Sequence, residues 1–429
     1  MLPCLIEHPQ LHSRPVSQPA QSASSQPTHP QTITPPVATE QLFTRDFLLV
    51  CVSTFLFSGS MFLLFAVLPL FIVQELHGAE SQVGMIMGAF ALSAVLSRPL
   101  SGRLVDTWSR KSCLALGALI YVIFPALYTQ ATSVAMMMTL RFFHGIGIAI
   151  YTTAGSVFVA DLAPPARRGE AMGYYGMALN LAMAIGPALG VALAGWLGFA
   201  GLFWTAASLA LACLLLVQLV HDPHQSRPQT DHQTTPRPAL FSRVAVFPGF
   251  IAMCMTMTFG AIVSFLPLFV QHHNLGNAGL FFTVYSIVVV VLRPLSGRLS
   301  DRFGRSAVIL PGMFFLAISM VVLAYTTSQS GLLWTAVLQG IGFGAVHPAI
   351  MAWIVDRSTV HDRGPALATV MMAFDIGVGL SAIGLGLVLQ RTDFSTMYLC
   401  AGGIALVGTI AVAFAALTES AKERHEIGP

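Results

Sequence analysis

Charged residues are scarce in this sequence, so each ionisable side chain deep inside an apolar stretch is a candidate for chemistry. Asp375 lies in the apolar stretch 365–390, roughly 15 Å along it at about 1.5 Å per helical residue. It could carry a proton or meet a cationic substrate; the plainer reading is a structural hydrogen bond to a neighbouring helix. Arg141 is read as the one basic residue inside such a stretch, and His144, three residues on, shares its helix face. A histidine there could titrate near neutral pH or stay neutral and hydrogen-bonded. His347 is followed by Pro348, which frees a backbone carbonyl and favours a kink, and it is expected to line a pathway toward the cytoplasm. Asn180 and Gln339 are expected cavity groups, with Tyr151, Phe57 and Phe259 as apolar lining. The six cysteines are scattered, with no metal-ligand or redox spacing. No nucleophile–base cluster occurs, so neither enzyme, metal site nor cofactor is expected.

The elements that position these groups follow from composition. Charged residues make up 9% of the chain and hydrophobic residues 55%, too few charges to cover a water-soluble protein of 429 residues. Twelve apolar stretches long enough to cross a bilayer run from 47–73 to 396–418. The polar stretch 221–243 divides them six and six. Residues 1–44 are rich in Gln, Pro, Ser and Thr and read as a disordered tail, with no signal-peptide pattern. The expected fold is all-α and membrane-spanning: a six-helix bundle at 45–220, a linker at 221–244, a second bundle at 245–420 and a tail at 421–429. With both termini cytoplasmic, 19 of the 21 basic residues fall in inside segments, Arg98 and Arg293 among them. The exceptions are Arg391 outside and Arg141 in a helix, which satisfies the positive-inside rule.

The two halves repeat. Arg-Pro-Leu-Ser-Gly-Arg-Leu occurs at 98–104 and at 293–299, an offset of 195. The same offset carries Asp106 onto Asp301, Arg110 onto Arg305, His144 onto Gln339, Asp161 onto Asp356 and Asn180 onto Asp375. Halves with an even number of helices run in the same direction, and such parallel repeats place a substrate site between them.

The loop Gly102-Arg103-Leu104-Val105-Asp106-Thr107-Trp108-Ser109-Arg110 and its second copy, Gly297 to Arg305, resemble the signature loop of the major facilitator superfamily. Thr107 and Ser109 replace the usual Arg and Gly in the first copy. The glycines Gly102 and Gly297 permit close helix approach and a tight turn. Asp106 and Arg110, four apart, can pair along one helix face. The resemblance implies that Asp106 latches the start of the eleventh span near Gly364-Pro365, with Asp301 doing the same at Gly169-Glu170. It ties Arg141 to proton transfer, although His144 stands where the family has Gln. It also relates Gly186, Pro187 and Gly190 of the fifth span to a kinked motif of proton-coupled exporters.

These readings imply a proton-coupled exporter of a small organic molecule working as a monomer in the inner membrane, with lipid and protons as its other partners and no nucleic acid. An uptake symporter and a non-transporting receptor or scaffold are the alternatives. Replacing Asp106→Asn is expected to shift the balance between inward- and outward-open forms. Site-directed labelling from each side of the membrane measures that balance, and an unchanged balance with full transport would end the latch idea.

Overall fold

The computed structural model describes residues 42–164, 167–221, 242–358 and 363–426. Most of the expected 1–44 tail, most of the 221–244 linker and residues 427–429 lie outside that set. The described residues form helices and no strands: α1 (Arg45–Phe65), α2 (Leu68–Gln74), α3 (Glu80–Thr107), α4 (Arg110–Tyr128), α5 (Val134–Leu162), α6 (Arg168–Gln218), α7 (Val246–His272), α8 (Ala278–Phe303), α9 (Arg305–Ala324), α10 (Gln329–Arg357), α11 (Arg363–Leu380), α12 (Gly386–Arg391) and α13 (Phe394–Glu426). A helix satisfies its own backbone, which lipid requires of any spanning segment. Eleven segments among the described residues are long and apolar enough to cross a bilayer. Two are composite: α1 with α2, and α11 with α12 through a π turn at Ser381–Leu385.

α6 has 51 residues and would be about 77 Å long if straight, more than twice the hydrocarbon thickness. Its helical torsions break once, at Gly198, where φ is 70° and glycine is the residue that adopts it without strain. The backbone stays helical through Gly186 and Pro187, so the sharp break falls eleven residues beyond the expected kink. Each arm is long enough for one crossing.

The sequence repeat reappears in the caps. Ser133 and Ser328, 195 apart, each accept a backbone N–H at the start of α5 and α10. Ser109 caps α4 by accepting from the Ser112 N–H, whereas its counterpart Gly304 begins α9 with φ at 91°. The two loops thus solve one turn by different means: a side-chain cap in one, a left-handed glycine in the other.

Packing within each half is extensive: α1 on α6, α3 and α4 on α5, α4 on α6; then α7 on α11 and α13, α8 and α9 on α10, α9 on α13. Across the halves α3 meets α11, the π turn and α12, α6 meets α8, and α2 meets α7. The windows in Arg243–His272 and Arg45–Gln74 are 89% and 78% buried, against 28% for Phe394–Thr418. The first and seventh spans therefore sit centrally, and α13 presents side chains such as Phe414 and Leu417 outward.

The α3–α11 contact is made of small residues. A Cβ on Gly84 would collide with the Ala382 carbonyl oxygen, one on Gly88 with Ile383, and one on Gly379 would sit 2.9 Å from Ala91. Gly186 and Gly190 of α6 touch Phe62 and Leu63 of α1 just as closely. Lipid supplies no hydrophobic drive between helices, so such close backbone contact does the holding. Gly190→Val is expected to lower stability by about 1–3 kcal/mol through overpacking within one half. Gly84→Val, which wedges the halves apart, should instead increase labelling of a cysteine placed at Asn274. Thermal unfolding in detergent and maleimide labelling separate the two effects.

Candidate functional site

The deep carboxylate has a partner that the sequence reading missed. Arg98 of α3 reaches across the halves to Asp375 of α11: its Nε donates to Oδ2 at 2.8 Å, and its Nη2 donates to the same oxygen. Both side chains are largely buried, 17% and 23% exposed. Arg98 lies about 14 Å from the end of α3 at Thr107, and Asp375 about 18 Å from the start of α11. The charge count expects Arg98 and Arg293 in inside loops, but α3 and α8 continue through both, so Arg141 is not the only arginine at depth. The available signal was the helix-compatible run preceding each repeated heptapeptide. Positive-inside counting hid it, because that count treats such residues as loop charge.

From this pair, close contacts continue toward the end opposite the chain's described termini, here called the far end. Gly386 of α12 meets Gly84 and Ser81, then come Ile383 on Gly88 and Gly379 by Ala91, and then the ion pair. The repeat-related interface has Val191 of α6 against Gly279 of α8. At the same end Gln74 donates from Nε2 to Gln271 Oε1 at 3.1 Å, joining the halves beside an open cleft of about 560 Å³. The far end is thus bridged, and the Arg98–Asp375 pair sits on the inner margin of that closure.

Arg141 is buried with its guanidinium over the Phe90 ring, 4.1 Å from the centroid, and 5.8 Å from that of Phe65. Its Nε and Nη1 have no hydrogen-bond partner among the described residues. His144 shares a 2.6 Å hydrogen bond with the Tyr128 hydroxyl through Nδ1 and packs against Tyr121, Phe90 and Phe124. The pair therefore occupies an aromatic pocket inside the first half. Its counterpart Gln339 accepts from Ser319 at 2.6 Å and donates to Thr258 at 3.1 Å, which ties it into the second half and removes it as an open cavity group.

Phe57 and Tyr151 stack on each other at 3.8 Å, and the Tyr151 hydroxyl donates to Ser53 at 3.3 Å. Both are fully buried in the first half and fill its core; they do not line a space between halves. Phe259 lies against Phe343 and Tyr285, at 5.3 and 6.4 Å. His347 is stacked between Phe343 and Phe374, at 5.8 and 5.0 Å. Asn180 is partly buried on α6.

In the signature loops, Arg110 donates to Asp161 at 3.2 Å and to the Val105 carbonyl at 3.3 Å. Arg305 donates to Asp356 at 2.7 Å and also holds Asp301. The side chains of Asp106 and of residues 363–365, which the first latch requires, lie outside the described set. At the second latch, Glu170 is gripped by Arg167 at 2.8 and 2.9 Å, which holds that guanidinium above its usual range. Among the described residues, beyond the adjoining backbone of its own helix, nothing lies within 4 Å of a Cβ placed on Gly102 or Gly297; both sit inside helices, not at tight turns, and neither makes the expected close approach there.

Two unit charges about 4 Å apart attract by roughly 4 kcal/mol at an effective dielectric constant near 20, and desolvation offsets part of that. Neutralising one partner leaves the other charge enclosed and alone. Asp375→Asn and Arg98→Gln are each expected to cost about 3 kcal/mol, and the double variant less than either. Thermal unfolding of the four proteins measures this; additive losses would mean that the pair is not a unit.

The comparisons place this architecture. The model of the Major Facilitator Superfamily matches residues 50–281 and again 249–429. Multidrug resistance protein 1 of Bacillus subtilis is 26% identical over 290 residues, covering 66% of this chain and 74% of the relative. The staphylopine export protein of Staphylococcus aureus is 22% identical over 358 residues, covering 78% and 87%. The crystal structure of the nucleoside transporter NupG shares the fold, with a TM-score of 0.66 at 16% identity, over 86% of this chain and 98% of that one. Two matches of one family model, one over each half, fit the repeat read from residues. The chain belongs to the Major Facilitator Superfamily and is a multi-pass membrane transporter resembling its efflux members.

Proposed function

We propose that the protein exports a small organic molecule in exchange for protons, by alternating access between two six-helix halves at 45–220 and 245–420. The observation that carries this is the Arg98–Asp375 pair. Asp375 is the one described acidic side chain deep within a span, and its partner belongs to the other half. Protonation removes the carboxylate charge, so the electrostatic hold between α3 and α11 exists only in the deprotonated form. A proton taken up at Asp375 then loosens the bridge beside the far-end closure, and its release restores that bridge. Arg141, enclosed and short of hydrogen-bond partners among the described residues, adds a fixed positive charge to the interior of the first half. The glycine contacts at Gly186 and Gly190 give α6 a rigid seat on α1 as the halves rock.

Export is favoured over uptake because relatives bearing export and multidrug names cover most of their length with this chain. The cargo is a drug-like compound, a sugar or a metal-chelating metabolite. Each arm of α6 makes one crossing, giving twelve spans with both termini on the cytoplasmic face of the inner membrane and one chain as the working unit.

A substrate panel in proteoliposomes under an imposed pH gradient tests the proposal. Accumulation of a panel compound should vanish when the gradient is collapsed and should be lost in Asp375→Asn. Movement indifferent to the gradient would refute proton coupling.

A further inference from the structure

The ion pair has a repeat-related counterpart with one partner missing. The offset of 195 carries Arg98 onto Arg293 of α8 and Asp375 onto Asn180 of α6. Arg98 grips its carboxylate with Nε and Nη2, the two nitrogens on one edge of the guanidinium. In Arg293 those same two nitrogens are buried and have no hydrogen-bond partner among the described residues. An amide replaces the acid in α6, so the second interface carries a positive charge with no matching negative one. No other described acid can serve: Asp375 is taken, and the remaining acidic residues lie near helix ends or in loops. Arg141 is at least covered by aromatic faces, whereas Arg293 has no such ring contact among the described residues.

The surroundings of Arg293 resemble a site more than a packing defect. Tyr285 lies eight residues earlier, on the same face of α8, and an arginine in a helix leans toward that N-terminal side. The Tyr285 hydroxyl is also buried without a hydrogen-bond partner among the described residues. Arg293 is an electrostatic neighbour of both Tyr285 and His347. His347 and Tyr285 join Phe259, Phe343 and Phe374 in a continuous aromatic wall contributed by α7, α8, α10 and α11. Phe374 precedes Asp375 on α11, which brings one residue of this wall to the same level of the helix as the ion pair. A free guanidinium edge and a phenol beside aromatic rings suit an oxyanion attached to an apolar body. The edge can bind a carboxylate or phosphate through two parallel hydrogen bonds.

We propose that Arg293, assisted by Tyr285, binds the anionic group of the transported molecule, so that the cargo is an organic anion or zwitterion carrying a carboxylate or phosphate next to an aromatic or apolar body. This rests on the transport reading above, because it names the cargo of the same central region. The bound anion would complete, at the second interface, the ion pair that Asp375 completes at the first.

The test is thermal stabilisation of the full chain in neutral detergent, without any pH gradient, so that a failure of proton coupling cannot alter the result. The probes are 4-phenylbutyrate, indole-3-acetate and phenyl phosphate, with 4-phenylbutanol and 4-phenylbutylammonium as uncharged and cationic controls. At least one anion should raise the unfolding temperature in a saturable manner, and the controls should not. Arg293→Gln should remove the anion effect while keeping a monodisperse profile on size exclusion. Arg293→Lys, which keeps the charge but loses the edge, should retain a weaker effect and guards against loss of fold. The proposal is overturned if no anion stabilises selectively, if Arg293→Gln responds as the parent does, or if phosphatidylglycerol alone stabilises through Arg293 and the small anions do not.

Discussion

A charge held at membrane depth is costly unless an opposite charge lies within reach, and for Asp375 that partner comes from the other half. Arg98 belongs to α3 and Asp375 to α11, so neither half can satisfy its own ion. Their meeting depends on the glycine and alanine contacts above them, where Gly84, Gly88 and Ala91 let α3 lie directly on the π turn and on Gly379. Larger residues at those positions would hold the backbones apart and lift the guanidinium off the carboxylate. Close packing and charge pairing are therefore one arrangement: the first sets the distance that the second needs.

The duplication builds a near-symmetric scaffold and then departs from it at polar positions. Helix starts repeat, down to the capping serines Ser133 and Ser328. Near the helix ends polar pairs repeat, as in Arg110–Asp161 and Arg305–Asp356, but deeper polar groups differ: His144 faces Tyr128 where Gln339 faces Ser319 and Thr258, and Asp375 is ion-paired where Asn180 carries no charge. Backbone differences follow the same line. The π turn at Ser381–Leu385 falls where the other half has Pro187 in a continuous helix, and such local bulges are frequent at functional sites. The repeat supplies two similar helix bundles, while its local loss gives their interiors different polar groups. The C-terminal half carries the titratable acid, and the N-terminal half carries the arginine that meets it.

Much of this was legible in the residues. Scarcity of charge required a membrane fold, the distribution of arginines gave the orientation expected of it, and the heptapeptide Arg-Pro-Leu-Ser-Gly-Arg-Leu revealed the repeat. Asp375 stood out because depth along a helix can be counted at a fixed rise per residue. Arg98 did not, because helix ends in membrane proteins are not marked by hydropathy alone: α3 runs past Arg98 to Thr107 even though its last turns are polar. The sequence suggests Phe57 and Tyr151 as cavity lining, since an aromatic residue in an apolar span looks the same whether it faces a space or a neighbouring helix. Only their stacking against each other and Tyr121 places them in the core of the first half.

The sequence by itself determined the solvent, the number of repeats and the depth of Asp375, because these follow from composition, offset and distance along one helix. The tertiary structure decided which charges meet. Arg98 and Asp375 are 277 positions apart, and Arg293 is distinguished from Arg98 only by what faces it. Pairing across two bundles depends on helix rotation and on contacts within a few ångströms. Those quantities are set by packing between segments and leave no periodic mark on any one of them.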